Sequence, residues 1–164
     1  MKKFYLYNNR VEIVTNDGSI FTIYFNENSG KVYFRYKIGT VSQIKHPGIF
    51  LGLDANGTGY FLHNHYHYGK AYITTEKEFV KGMPLYIYNE QCSNSVLKVI
   101  EIGLNEVLRG ESYKPASYNC QTFTNTACHN VRESEDAEKW AGRILFGSLV
   151  LLGLGLAFGG GKGK

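Results

Sequence analysis

Cysteine is scarce in this chain: Cys92, Cys120 and Cys128 are its full complement in 164 residues, and no paired spacing links them. That excludes, on pattern, a small secreted module built on disulfides, and it points to a reducing compartment. A concentration of charge of one sign is also missing. The net charge is only +4, and the lysines and arginines are scattered rather than gathered into a stripe, which argues against a nucleic-acid partner. No internal repeat is present, and the closing Gly159-Gly160-Gly161-Lys162-Gly163-Lys164 is the only low-complexity stretch. The N-terminus opens Met1-Lys2-Lys3, but the apolar run Phe4-Tyr5-Leu6-Tyr7 ends at Asn8-Asn9-Arg10, too short for an export signal. The length fits one domain with its own hydrophobic core.

What is present is a strand-rich first half. Tyr, Phe, Val and Ile dominate residues 3–37, broken by turn signals at Asn8-Asn9, Asn16-Asp17-Gly18 and 26–30, and Asn16-Asp17-Gly18 is a hairpin signature. Residues 20–25 carry apolar side chains in both alternating sets, which predicts a strand covered on both faces. Further strands are expected at 44–53 and 60–67, joined by the turn 54–59. His46 and His63 then lie on neighbouring strands, and His63, His65 and His67 share one face. A short capped helix ending at Gly82 is expected from Thr74, then a strand at 84–88. An amphipathic helix starts at Ser95, with Leu97, Ile100, Leu104, Val107 and Leu108 on one face, and stops at Gly110.

The chemistry concentrates at Ser117-Tyr118-Asn119-Cys120-Gln121-Thr122-Phe123. Pro115 and Ser117 mark a turn, Asn119 is a good helix N-cap, and Phe123, Ala127 and Val131 recur at helical spacing, so Cys120 is expected at the first position of a helix. Unpaired N–H groups and the positive end of the dipole favour a thiolate there and suit an oxyanion. The plainer reading is that Cys120 is a small buried hydrophobe.

A cysteine nucleophile requires a base and a third group to orient that base. Three boxes in the order His, polar residue, Cys meet this requirement: His46-Pro47-Gly48-Ile49-Phe50-Leu51-Gly52, Tyr60-Phe61-Leu62-His63-Asn64 and Asn119-Cys120-Gln121-Thr122-Phe123. Together they resemble the circularly permuted branch of the papain-like fold that includes lecithin:retinol acyltransferase and its relatives and is related to the NlpC-type cell-wall peptidases. The resemblance covers residues 44–130. It implies an α+β fold in which an antiparallel sheet packs against helices, with Cys120 as nucleophile, His46 as general base and His63 as the group that fixes the His46 tautomer. His65, on the same strand face as His63, is the alternative third member, and Gln121 is a possible oxyanion donor beside the Cys120 N–H. Pro47 cannot donate a ladder hydrogen bond, so its strand is expected to be an edge or to carry a bulge there.

On this reading residues 1–40 extend the sheet, 41–133 form the catalytic core and 134–164 form a C-terminal helix running into an apolar tail. From Ile144 to Phe158 the tail is apolar almost throughout, at the short end of what spans a bilayer. It reads as a membrane anchor, a core helix or a docking segment; its glycines and the flanking Arg143, Lys162 and Lys164 favour membrane association. The expected protein is a cysteine-dependent acyltransferase or acyl hydrolase acting on a lipid or acylated substrate, in the cytoplasm or on the cytoplasmic face of a membrane. The alternatives are a cysteine peptidase or amidase acting on cell-wall peptides, and an inactive membrane-tethered binding module. No cofactor is expected. The histidines at 63, 65 and 67 with Cys128-His129 invite zinc, but the commoner outcome is that His65 and His67 are surface residues and no metal is bound.

Overall fold

A computed structural model describes residues 1–36, 44–88 and 91–132. The eight strands are β1 (Lys3–Leu6), β2 (Arg10–Val14), β3 (Ile20–Tyr24), β4 (Val32–Tyr36), β5 (Lys45–Leu53), β6 (Gly59–His65), β7 (Lys70–Thr75) and β8 (Tyr86–Ile87), and the helices are α1 (Glu76–Val80), α2 (Val96–Arg109) and α3 (Cys120–His129). The architecture is α+β. All the strands join one antiparallel sheet in the order β1-β2-β3-β5-β4-β8, with β6 on the other edge of β5 and β7 beyond it. The apolar tail and the start of the last expected helix lie outside the described residues. Among those described, no helix is long and apolar enough to cross a membrane.

The hub is β5. One of its edges is shared by β4, from Tyr36↔Lys45 to Val32↔Ile49, and by β3 through Tyr24↔Leu53. The register with β6 shifts between Phe50 and Gly52, and Gly52 has φ +152°. A Cβ at Gly52 would collide with the Tyr24 carbonyl oxygen, so only glycine lets β3 close onto this end of β5.

Pro47 is accommodated without a bulge at its own position. Phe50 donates its N–H to Lys31 O on the β4 side, so by alternation the Pro47 nitrogen points toward β6. The β5–β6 ladder begins only at Ile49↔Leu62. The missing donor therefore falls where no backbone partner is paired.

The two faces of the sheet hold different cores. Ile49 and Leu51 of β5 and Leu62 of β6 pack with Val99, Ile100 and Leu104 of α2 and Phe123 and Ala127 of α3. On the opposite face, Phe50, Phe61 and Phe79 form a smaller cluster, with the Phe61 and Phe79 rings stacked at 4.3 Å.

Several local expectations change. Strand β3 is covered on one face only: Ile20 is 61 % exposed and Tyr24 is also exposed, while Ile23 on the other face is buried in the main core. The buried side of α2 is rotated to take in Gly103 and Glu106, while Leu108 is exposed. A Cβ at Gly103 would lie 3.0 Å from Leu62 Cδ1, so glycine there lets the helix sit close to β6. Helix α1 closes with Lys81 in the left-handed region, one residue ahead of Gly82, and its capping box joins Thr75 to Glu78. The strand expected at 84–88 is reduced to Tyr86–Ile87 on the sheet edge.

Cys92 and Cys128 form a disulfide, in which Cys120 takes no part. The two partners are 36 residues apart, one in the loop before α2 and one near the end of α3, so no short spacing pattern announces the bond.

Candidate functional site: a thiol at a helix head and an imidazole pair

Asn119 builds the head of α3. Its Oδ1 accepts the N–H groups of Gln121 at 2.9 Å and Thr122 at 3.1 Å, and its Nδ2 donates to the Pro115 carbonyl at 2.8 Å. The cap thus starts the helix and ties it to the preceding turn. Cys120 is the first helical residue, as expected, and is 2 % exposed. The same turn is anchored to the sheet and to α2. Asn64 of β6 donates through Nδ2 to the Tyr118 carbonyl at 3.2 Å, and the Tyr118 hydroxyl donates to Glu106 Oε2 at 2.6 Å. Burial and the Glu106 carboxylate push the Tyr118 phenol well above its ordinary pKa, so it remains a donor.

The histidines occupy the stretch where β5 and β6 lack backbone pairing. There His46 Nε2 and His63 Nδ1 are 3.0 Å apart, both side chains buried, and His63 Nε2 is 2.9 Å from Thr74 Oγ1 of β7. Burial first, then the charges of His65, Arg35 and Lys81, lower the His63 pKa from 6.5 to about 3. His63 therefore stays neutral across the physiological range, and one of its ring nitrogens accepts. If His46 is to act as a base at Nδ1, its Nε2 carries the hydrogen and donates to His63 Nδ1. His63 then donates from Nε2 to Thr74 Oγ1, and one tautomer satisfies the whole chain.

His65 is buried rather than on the surface. Its ring lies edge-on to His46 with centroids 4.8 Å apart, and its Nδ1 accepts the His67 N–H at 3.0 Å. Of the two candidate orienters, His63 thus makes the hydrogen bond to His46 Nε2. His67 leaves the group: β6 ends at His65, and His67 sits exposed in the following turn. Cys128 is committed to the disulfide, His129 Nδ1 meets Ser93 Oγ at 3.0 Å, and among the described residues no cluster suits a metal ion.

Helix α3 rests on β5 and β6 through Ile49, Leu51 and Leu62, whereas the His46 and His63 rings pack on Phe79 on the opposite face of those strands. Gln121 is buried beside Cys120, with its own N–H taken by Asn119. An arginine that sequence reading passed over joins the group: buried Arg35 stands directly opposite His46 in the β4–β5 register and lies within electrostatic reach of Cys120. The available signal was a lone cation in the aromatic strand Val32–Tyr36. Thr74, also missed, follows from the pairing of β6 with β7. A groove of about 460 Å³ lined by Lys31, Val32, Tyr88, Cys92 and Val96 contains none of these residues. Comparison of the chain with family models, with curated proteins and with solved structures finds no match.

Proposed function

We propose that the protein is a cysteine-dependent acyl hydrolase or acyltransferase of the permuted papain-like class, working through an acyl-cysteine at Cys120. The observation that carries this reading is the His46–His63 contact at 3.0 Å, backed by a neutral His63, on strands whose other face packs against the Cys120 helix.

In this mechanism the Cys120 sulfur attacks the acyl carbonyl carbon, forming a C–S bond and a tetrahedral oxyanion that the Cys120 N–H and the helix dipole stabilise. Collapse expels the leaving group. His46 Nδ1 then takes a proton from water, or from an acceptor hydroxyl or amine, as its oxygen or nitrogen attacks the acyl-cysteine. The C–S bond breaks, sulfur departs as thiolate, and His46 passes the proton to solvent or to the departed leaving group. Asn119 holds the helix head in place, and His63 keeps the base oriented. The apolar stretch 144–158 favours a lipid or acylated substrate at a membrane.

A second reading has an observation of its own. The Cys92–Cys128 disulfide suits an oxidising compartment, which favours an exported peptidase or amidase acting on cell-wall peptides. Intact-mass analysis of the protein after exposure to a phospholipid extract, and separately to a peptidoglycan digest, decides between the two. A fatty-acyl mass on Cys120 supports the first reading, and a peptidyl mass supports the second. No adduct and no turnover with either would sink both and leave a binding module.

A further inference from the structure

Arg35 is 3 % exposed within β4 and stands directly opposite His46 in the β4–β5 ladder. A guanidinium carries five N–H donors. Nε donates to the Phe79 carbonyl and Nη1 to the Tyr36 carbonyl at 3.2 Å, and among the described residues the remaining donors meet no acceptor. Neutral carbonyls satisfy donors without cancelling a buried charge, and a guanidinium does not escape by giving up its proton. Among the described residues no ion pair includes Arg35. The groups packed beside it are rings rather than carboxylates. The Arg35 Cζ and the His46 and His63 rings lie 6.0, 5.6 and 5.2 Å from the Phe79 ring centroid, and His65 meets His46 at 4.8 Å. Burial, with the charges of His65, Arg35 and Lys81, keeps His63 neutral. The acids of α1, the helix that carries Phe79, are engaged elsewhere: Glu78 is bonded to Thr75 in the cap, and Glu76 Oε2 lies beside Gly59, at the far end of β6 from His65. The cluster reaches solvent at the turn after β6, where Tyr66, 68 % exposed, stacks on His65 at 4.8 Å.

We propose that the Phe79 face of the sheet is a binding site for a carboxylate-bearing ligand, with Arg35 as its fixed charge. One buried guanidinium beside a neutral His63 balances a single negative charge, so a phosphate monoester dianion would bring a second charge with nothing to offset it. The planar N–H groups of arginine match the two coplanar oxygens of a carboxylate. A peptide's carboxyl terminus and a free fatty acid both present that group. The inference makes no use of Cys120, whose helix packs on the opposite face.

The test uses the full chain near pH 7, where a carboxylic acid is ionised, at constant ionic strength with sodium acetate replacing sodium chloride. The Arg35 Nε–H signal, followed by nitrogen-edited NMR, is expected to move saturably with acetate and to stay in place with chloride. In variants, affinity is read from the rise of the urea midpoint with acetate concentration. Arg35→Gln is expected to weaken binding by about tenfold or more, the worth of a hydrogen bond to a charged group. Arg35→Lys keeps the charge but not the planar fork and is expected to fall between wild type and Arg35→Gln. The NMR titration requires no variant, so a poorly folded Arg35→Gln leaves the test intact. Octanoate and N-acetyl-dialanine, compared in the same way, distinguish a fatty acid from a peptide terminus as the source, and tighter binding of either than of acetate supports the site. No saturable shift with acetate, an equal shift with chloride, undiminished affinity in a folded Arg35→Gln, or tighter binding of dimethyl phosphate than of acetate overturns the proposal. The readout uses no substrate turnover, so absence of acyl transfer would fall on the proposed function and leave this inference standing.

Discussion

Helix α3 carries a cysteine at each end, and the two have opposite fates. Cys120 opens the helix under an asparagine cap and takes part in no disulfide, whereas Cys128, near its close, is bonded to Cys92. Position along one helix dipole separates them. At the N-terminus the partial positive charge favours a thiolate, while the carbonyl-rich C-terminus disfavours one. The surroundings differ as well: at the head Asn119 accepts the Gln121 and Thr122 N–H groups and Asn64 of β6 donates to the Tyr118 carbonyl at 3.2 Å, and at the other end Asn94 donates to the Ala127 carbonyl at 2.8 Å and Ser93 to the Cys128 carbonyl at 3.0 Å. On the proposed function the head would serve reactivity and the tail attachment.

The largest effect expected of this division is on activity. Cys120→Ala should abolish both turnover and the covalent acyl adduct, whereas Cys92→Ser combined with Cys128→Ser should leave both intact at a temperature where the protein is folded. Steady-state rates with intact-mass detection check this, and loss of the adduct in the double variant would break the contrast between the two ends. The same double variant should pay at the tail in stability. Closing a loop of 36 residues is worth about 3–4 kcal/mol on the chain-entropy model. Urea denaturation with and without reductant reads this directly, and equal midpoints would show that the tail does not depend on its covalent bond.

The head end should respond to acid instead. His63 is held at about 3 against an ordinary 6.5, so near and above pH 7 neither folded nor unfolded chain protonates it and it contributes no pH dependence. Between about 6.5 and 3 the unfolded chain takes up a proton that the folded chain refuses. Stability should therefore fall as pH falls, by up to about 1.4 kcal/mol per pH unit from this residue. Urea midpoints measured from pH 7 to pH 4 should show this slope in wild type and a shallower one in His63→Gln. The same slope in both would remove His63 as the cause.

How far the chain could be read beforehand follows the same division. The head was legible because its signals are local: an asparagine before a helical apolar repeat, and two histidine-bearing strands joined by a short turn. The tail was not, since a bond between Cys92 and Cys128 depends on how the loop before α2 folds back on α3, and no spacing encodes that. Arg35 was missed for a related reason. A single cation in an aromatic strand reads as a solvent-facing residue until the β4–β5 register places it opposite His46. The rotation of α2 escaped because helical periodicity counts apolar side chains, whereas Glu106 is buried through its bond to Tyr118 and Gly103 through close packing on Leu62. Strand β3 misled in the opposite direction: its two apolar sets promised two covered faces, but only the face of Ile23 packs into the core and that of Ile20 and Tyr24 is open.

The smallest expected effect tests whether the cap, rather than the sheet beneath it, defines the head. Asn119→Ala removes the acceptor for the N–H groups of Gln121 and Thr122 and the donor to Pro115 O. Loss of an N-cap costs about 1 kcal/mol, less than loss of the disulfide, and a urea midpoint measures it. The change at Cys120 has a definite direction. Two freed N–H groups at the helix start would still face a thiolate, so the dipole term survives; what is lost is the fixed geometry that presents the sulfur. Activity should therefore fall with little movement of the thiol's titration midpoint. If Asn119→Ala instead raised the midpoint by about one pH unit or more, the cap itself would carry an electrostatic role at the sulfur, and position along the dipole would not alone account for the difference between the two cysteines of α3.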